Sequence, residues 1–416
     1  MTLPKLAYLT GEYPRASDTF IQREVAALRA LGHEVETCSI RTTGEEHLVG
    51  PEQRAEHKRT FKVLDACKGA RLLWAHLRYL KRPGRYGRAL ALAWRTAPKG
   101  IKGRLYNLIY FAEAAVLADH LERQKVTHLH NHIAKASCTV AMLASELSGI
   151  PFSFTIHGPD IFFEPHHWRI DEKASRAAFV ACISNFCRSQ LMCFAPQQHW
   201  DRLHIIHCGV DPDRYSPAPH AGQNLLFVGR LAGVKGVPVL LQAMADLRDS
   251  HPDLRLTLIG DGPERAAIDA LARQLGLHER ITFMGYRSQS EVAEALTQAD
   301  VFVLPSFAEG VPVVLMEAMA AAVPVVTTQI AGVPELVRDG AGTLVPPGDA
   351  QALAKAITRW LDEPAARRVA GQSGRAIVEA EFHIQTEAAR LSSLFAAYAN
   401  DQTPAIRPMI RQELNE

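Results

Sequence analysis

A two-domain α/β protein, each domain a doubly wound parallel sheet, is what the 416-residue sequence predicts. Three observations carry the prediction. Short apolar runs of strand type alternate with amphipathic helical stretches along almost the whole chain, the pattern of parallel sheets covered on both faces. The chain is too long for one ordinary core and suits two domains of roughly 200 residues each. The alternation restarts near residue 223, after "GVDPDRYSPAPHAGQ", whose three prolines and two glycines mark a linker.

Taken in order, the strand candidates of the first half are "KLAYLT", "HEVETCSI", "VTHLHN", "PFSFTIHG", "FVACIS" and "LHIIHCG". The helix "TFIQREVAALRAL" follows the first strand, with Ser17, Asp18 and Thr19 placed to cap it. Residues 51–104 break the alternation and read as a basic helical insertion decorated with Trp74 and Trp94. The second half supplies "NLLFVGR", "LRLTLIGDG", "RITFMG", "DVFVLPS" and "PVVTT". The expected division is a first domain over 1–208, a linker over 209–222 and a second domain over 223–383. A helix over 384–400 is expected to pack back on the first domain, and the tail 401–416 to fray.

Hydrophobic residues make up 47% and charged residues 22%, as in soluble globular proteins. The seven cysteines are odd in number and none forms a C-x-x-C pair, which excludes a secreted disulfide framework and a zinc ribbon. Met1–Thr10 is too short and polar for a signal peptide, and no apolar run reaches the ~18 residues of a membrane span. A cytoplasmic location is therefore expected, with any membrane contact peripheral on the inner face of the plasma membrane. Net charge is only +2, yet residues 54–104 hold fifteen Lys or Arg against Glu56 and Asp65. That is +13 locally and −11 elsewhere, which points to an anionic partner. No nucleic-acid module is legible. A solvated helical face is one reading; Trp74 and Trp94 among the cations also suit an anionic membrane surface.

Three segments carry chemistry. In "PSFAEGVPVVLMEAMA" a strand ends at Pro305-Ser306, Glu309-Gly310 forms a loop, and a helix starts near Pro312 and holds Glu317. Its N-terminus, with unbonded N–H groups and a partial positive charge, suits a phosphate. Glu309 could equally complement the helix dipole, and Glu317 could be a solvated helix residue. In "LLFVGRLAGVKG" a strand ends at Gly229-Arg230, and Lys235 follows on a glycine-flanked loop. An Arg fork and a Lys point charge make a diphosphate clamp, although two solvated surface cations would read the same. "LTLIGDGPE" adds Gly260 and Gly262, which a tight strand–helix turn explains as well as nucleotide binding does.

Together with "ITFMGY", these segments resemble the donor-binding half of glycosyltransferase family 4, over about residues 223 to 380. The first half resembles the family more loosely, through "TIHGPD", "HLHNH", "ISNFCR" and "IIHCGVD". The resemblance implies the GT-B architecture, in which two Rossmann-like domains face each other across a cleft, and a retaining, metal-independent transfer of a hexose from a UDP- or GDP-sugar. It implies that Arg230 and Lys235 neutralise the leaving diphosphate and that Glu309 holds donor-sugar hydroxyls. Backbone N–H groups at Gly310, Val311 and their neighbours, with Pro312 beside them, would surround sugar and phosphate. Gly229 and Gly260 would line the nucleotide, Met284 and Tyr286 would pack on its base, and Glu317 would accept from its ribose. His157 would hydrogen-bond the sugar near the reacting centre, with Asp160 nearby. No cofactor is implied. The first loop, "TGEYPRASDTFIQREV", departs from the glycine pair of many members and is similar to the subset that builds bacterial exopolysaccharides. A saccharide acceptor, free or linked to a polyprenyl diphosphate, is the partner this implies.

On the acceptor side the candidates are Asp18, Thr19, His132 and Asp160. His128, His130 and His132 alternate, so a strand would set them on one face. No acid or cysteine lies beside them in the sequence, so no metal site is expected and a polar lining is. The alternatives are an epimerase or phosphorylase on the same architecture, or a non-catalytic nucleotide-sugar-binding subunit.

Overall fold

The computed structural model describes residues 3–16, 18–158, 163–217, 222–338 and 340–408. It divides into two compact units. One comprises residues up to His207 together with the chain from Glu387 onward; the other runs from Cys208 to Thr386.

The first unit is built on seven parallel strands: β1 (Leu6–Glu12), β2 (Val35–Arg41), β3 (Phe61–Lys62), β4 (His128–His132), β5 (Phe152–Ile156), β6 (Val180–Cys182) and β7 (Leu203–Ile205). Their order across the sheet is β3-β2-β1-β4-β5-β6-β7. The chain therefore winds one way from β1 to β3 and the other way from β4 to β7, and the reversal falls between β1 and β4. The β1 and β4 strands are in register from Leu6 opposite His128 to Leu9 opposite Asn131. β4 and β5 are buried along their whole length, as expected of a parallel sheet covered on both faces.

The helix Thr19–Ala30 turns Ile21, Val25 and Leu28 inward, at helical spacing. They join Leu6, Tyr8 and Phe179 in one core, which the helix Ile384–Tyr398 completes with Leu391, Leu394 and Phe395. Each fully buried side chain of this size contributes about 1.5–3 kcal/mol. Asp18 stands at the N-cap, but its side chain makes no capping hydrogen bond to the helix. Ser17 lies outside the described residues.

The expected fraying of the tail does not hold as far as Pro408. Ile205 N–H donates to Ile406 O at 2.7 Å, His204 Nδ1 meets Ala405 O at 2.8 Å, and Arg407 pairs with Glu387 at 2.8 Å. Backbone pairing along β7 holds this stretch, which composition alone does not reveal.

The second unit has six parallel strands: β8 (Asn224–Val228), β9 (Arg255–Ile259), β10 (Ile281–Gly285), β11 (Val301–Leu304), β12 (Val325–Thr328) and β13 (Gly342–Val345). Their order is β10-β9-β8-β11-β12-β13, with the reversal between β8 and β11. β11 and β12 are buried throughout and come from the apolar runs "VFVL" and "VVTT". Ser288 and Glu291 form a reciprocal capping box on the helix Gln289–Leu296, and Asp349 caps the helix Ala350–Asp362. Residues read as linker are anchored here: Val210 N–H donates to Phe382 O, and Arg375 donates to Tyr215 O at 2.8 Å. Among the described residues, no helix is long and apolar enough to cross a membrane.

Candidate functional site

In open parallel sheets, ligands bind beyond the carboxyl ends of the strands, at the point where the strand order reverses. Both units have such a point; Lys235 and Glu309 meet at one, and His132 and His157 at the other.

In the second unit the loops leaving β8 and β11 meet. Phe307 N–H donates to Val234 O at 2.7 Å. Gly236 has φ +64, and a Cβ there would run into the Pro305 carbonyl oxygen, so no other residue lets the two loops lie so close. The approach places Lys235 Nζ 2.6 Å from Glu309 Oε1. Ser306 Oγ donates to the same oxygen at 2.6 Å. Glu309 is buried and Lys235 only partly so. The Lys235 ammonium gives Glu309 one of its three protons, so two further donors remain on it. Arg230 is exposed and makes no ion pair among the described residues.

The β9 and β10 exits lock onto the same edge. Gly229 N–H donates to Ile259 O at 2.9 Å, and Gly260 N–H to Gly285 O at 2.8 Å. A Cβ at Gly260 (φ +125) would collide with Gly229 O. Met284 is half-buried at the end of β10, followed by exposed Tyr286. The helix after Glu309 runs from Val313 to Ala320, one residue later than expected, with Pro312 at its N-cap. Gly310 O accepts from Gly332 N–H at 3.1 Å, and Val311 is buried. Glu317 is not a solvated helix residue. It is buried, and Tyr215 O–H donates to its Oε1 at 3.1 Å.

In the first unit the switch point holds histidines. His128, His130 and His132 are all buried on one face of β4. His128 Nε2 and His130 Nδ1 share Ser153 Oγ at 2.7 Å, and His130 Nε2 meets Thr155 Oγ1 at 2.8 Å. His132 Nε2 lies 2.9 Å from Glu24 Oε1, which also accepts from Tyr8 O–H at 2.7 Å. His132 Nδ1 lies 2.8 Å from His157 Nε2, and Phe20 packs on the His157 ring at 4.7 Å. Burial pushes the His130 and His157 pKa values well below the ordinary histidine value and that of His128 down to about 3.

The expectation that no acid accompanies these histidines is overturned. Glu24 is 108 residues away in sequence from His132 and beside it in space. Glu24, His130 and His132 offer three ligand atoms within 4.8 Å of one another, a trio that could hold a metal ion by geometry. Each of those side chains already serves hydrogen bonds and needs no ion to be satisfied. Asp18 and Thr19 begin the helix that carries Glu24, and Asp160 lies outside the described residues. Sequence reasoning missed Glu24, Tyr8, Ser306 and Tyr215. Only Ser306 had a local signal, a polar residue at a strand exit three positions before Glu309.

The basic insertion is less cationic than its sequence suggests. Arg78 pairs with Asp119 and Glu122, both at 2.6 Å; Arg82 pairs with Glu122, Arg88 with Glu146, and Arg95 with Glu172. All four acids lie outside the segment. Lys81, Lys99 and Lys102 make no ion pair among the described residues. Leu73, Trp74, Leu77 and Leu80 are exposed along one helix face, as are Leu90 and Trp94 on the next helix.

Residues 18–214 match the model of Glycosyltransferase Family 4, and residues 214–377 that of Glycosyl transferases group 1. The chain is 29% identical over 379 residues to a putative colanic acid biosynthesis glycosyltransferase, WcaL, of Salmonella typhimurium, covering 86% of this chain and 90% of that one. It is 27% identical over 414 residues to the amylovoran biosynthesis glycosyltransferase AmsK of Erwinia amylovora, covering 91% and 96%. Among solved structures, it superposes on a sucrose-phosphate synthase from Thermosynechococcus elongatus with a TM-score of 0.74 and 21% identity, covering 96% of this chain and 100% of that one. HepE of Anabaena, in complex with UDP-glucose, superposes with a TM-score of 0.72 and 18% identity over the same shares. Both likenesses speak for the fold: two parallel-sheet units of the GT-B type.

Proposed function

The chain belongs to glycosyltransferase family 4, and on that premise we propose that it moves a hexose from a nucleoside-diphosphate sugar to a lipid-linked saccharide during exopolysaccharide assembly. The transfer retains the anomeric configuration and needs no metal. What carries this reading is the Lys235–Glu309 contact at the β8/β11 switch point, with exposed Arg230 on the same loop. Breaking a sugar–phosphate bond develops charge on the diphosphate. Arg230, the spare donors of Lys235 and the N-terminus of Val313–Ala320 would stabilise that charge where it forms. Glu309 would then have two tasks: fixing the lysine and accepting from sugar hydroxyls. Glu317, already oriented by Tyr215, would take the ribose, with Met284 and Tyr286 against the base. In the first unit, His157 would hydrogen-bond a sugar hydroxyl, held in place by His132 and, through it, Glu24.

The relatives that build colanic acid and amylovoran favour a saccharide acceptor for a surface polymer, and the UDP-glucose held by HepE favours UDP over GDP. Docking on an anionic membrane would use the exposed Trp74, Leu77 and Trp94 together with Lys81, rather than the paired arginines.

The test is a thermal-shift series of UDP, GDP and their sugar conjugates, followed by nucleotide release with lipid-linked acceptor in EDTA. A ligand at a hundred times its Kd adds about 2.7 kcal/mol of stability. Stabilisation by UDP-sugars and acceptor-dependent UDP release in chelator are expected. Conversion of donor without any acceptor would favour an epimerase instead, and donor binding with no release under any acceptor would favour a non-catalytic subunit.

A further inference from the structure

Within the first unit, a cavity of about 460 Å³ opens between the start of the helix Ile101–Arg123, the helix Ala136–Ser148 and the segment from His167 to Lys173. Small-ligand sites span roughly 300–1,000 Å³. The wall is chemically one-sided. Lys99, Lys102, Arg169 and Lys173 are among its fourteen lining residues, and no acid is. Arg169 is held by Asp171 at 2.9 Å, whereas Lys99 and Lys102 pair with no acid among the described residues. Lys173 is fully buried, and its ammonium donates to the carbonyls of Ala134 and Lys135, each at 2.8 Å. Those carbonyls follow β4 directly, so Lys173 ties the cavity to the carboxyl edge that carries His132. Unpaired lysines and no carboxylate select an oxygen-rich anion; a neutral sugar would leave the lysines unanswered.

The mouth adds a second observation. Lys102 and Tyr106 lie one turn apart on the cavity side of their helix. Ile101 and Leu105, one residue back, form an adjoining stripe that is 88% and 57% exposed. Trp94, half exposed, lies beneath the Arg104 guanidinium 4.7 Å away. Apolar surface next to an anion seat suits a phosphate ester of a long hydrocarbon chain. A nucleotide or an inorganic ion has no use for it.

We infer that this cavity seats the diphosphate of a polyprenyl-linked acceptor, with Lys99 and Lys102 on its oxygens and the hydrocarbon chain over Ile101 and Leu105. The inference rests on the lipid-linked acceptor proposed above and adds where its anion is held.

The full-length protein is titrated with phosphatidylcholine vesicles carrying a minor fraction of polyprenyl diphosphate, and with vesicles matched in charge by phosphatidylglycerol. Inorganic pyrophosphate serves as the soluble arm. The wild type should prefer the diphosphate lipid to the charge-matched vesicle by about tenfold or more, since hydrogen bonds to a charged group are worth that much. Lys99→Gln with Lys102→Gln should abolish the preference, while the thermal shift with UDP stays as in the wild type. Equal binding to both vesicles, pyrophosphate competing as well as the lipid, or a preference surviving both substitutions would each overturn the inference. Transfer assays separate the two proposals. An unchanged KM for lipid-linked acceptor in the double variant removes the cavity and leaves the transferase. Selective diphosphate-lipid binding without any glycosyl transfer keeps the cavity and removes the proposed reaction.

Discussion

The two switch points solve different electrostatic problems with the same topology. At β1/β4 the carboxyl edge is lined with buried imidazoles held neutral by burial, chained through His157 and His132 to Glu24. At β8/β11 it carries an ammonium–carboxylate contact between two loops and an exposed guanidinium. A neutral, hydrogen-bonding edge can orient hydroxyl groups without attracting anions. A cationic edge can hold a diphosphate as its charge grows. Fold alone does not decide which half does which; the side chains at the reversal do.

The largest way to break this contrast is acid. Burial holds His33, His76, His128, His130, His157 and His204, all in the first unit, below the ordinary histidine value of about 6.5. A folded pKa below the unfolded one means that the unfolded chain binds more protons. The stabilisation is therefore complete above about pH 6.5 and is lost as pH falls. For His128, held at about 3, the loss at pH 5 is 1.5 pH units, or about 2 kcal/mol. Glu24 and Tyr8 face the cluster on the side of His132. Hydrogen exchange at pH 5 should show β4 and β5 losing protection ahead of β8 and β11. The reverse order would show that the histidine edge is not the acid-labile one.

A smaller effect separates stability from activity at the cationic edge. Lys235→Ala and Glu309→Ala should each slow transfer on the order of 100-fold. Their stabilities should differ. Without the lysine, Glu309 stays buried with Ser306 as its donor, at a cost of about 1–3 kcal/mol. Without the glutamate, the partly exposed lysine turns to water at little cost. Chemical denaturation of both variants and of the double variant checks this. Equal stability in the two single variants would mean that the contact does not anchor Glu309.

Most strands were legible in sequence because a buried parallel strand is a continuous apolar run, and "VFVL", "NLLFV" and "VVTT" read as nothing else. Two strands were not. Phe61–Lys62 is two residues long at a sheet edge inside a basic stretch, and Gly342–Val345 opens on a glycine. The cationic edge was readable because Arg230, Lys235 and Glu309 sit immediately after strands, where topology must bring exits together. The histidine chain was half readable. Alternation put three imidazoles on one face, but Glu24 lies among Gln22 and Arg23, three polar residues in succession that are all buried. Burial of such a run depends on what the helix meets in space, and no periodicity records that. The ion pairs of the basic insertion were hidden for the same reason. Its counterions, Asp119, Glu122, Glu146 and Glu172, come from residues beyond it in the chain.

The smallest test sharpens the first unit's pH profile from the other side. Glu113, on the helix Ile101–Arg123, is 5% exposed, and its Oε2 meets no hydrogen-bond partner among the described residues. Burial, only partly offset by Arg41, raises its pKa to about 7. A folded pKa above the unfolded value of about 4.5 gives stability that is full below pH 4.5 and lost as pH rises through 7. The 2.5-unit shift amounts to about 3 kcal/mol at most. Glu113→Gln should therefore match the wild type at pH 4 and exceed its stability by about 1–3 kcal/mol at pH 8, read as a shift in denaturation midpoint. The acid limb set by the histidines should stay where it is. If the variant gains as much at pH 4 as at pH 8, the carboxyl is not ionising in the fold, and its orphaned oxygen rather than its charge is what costs the first unit stability.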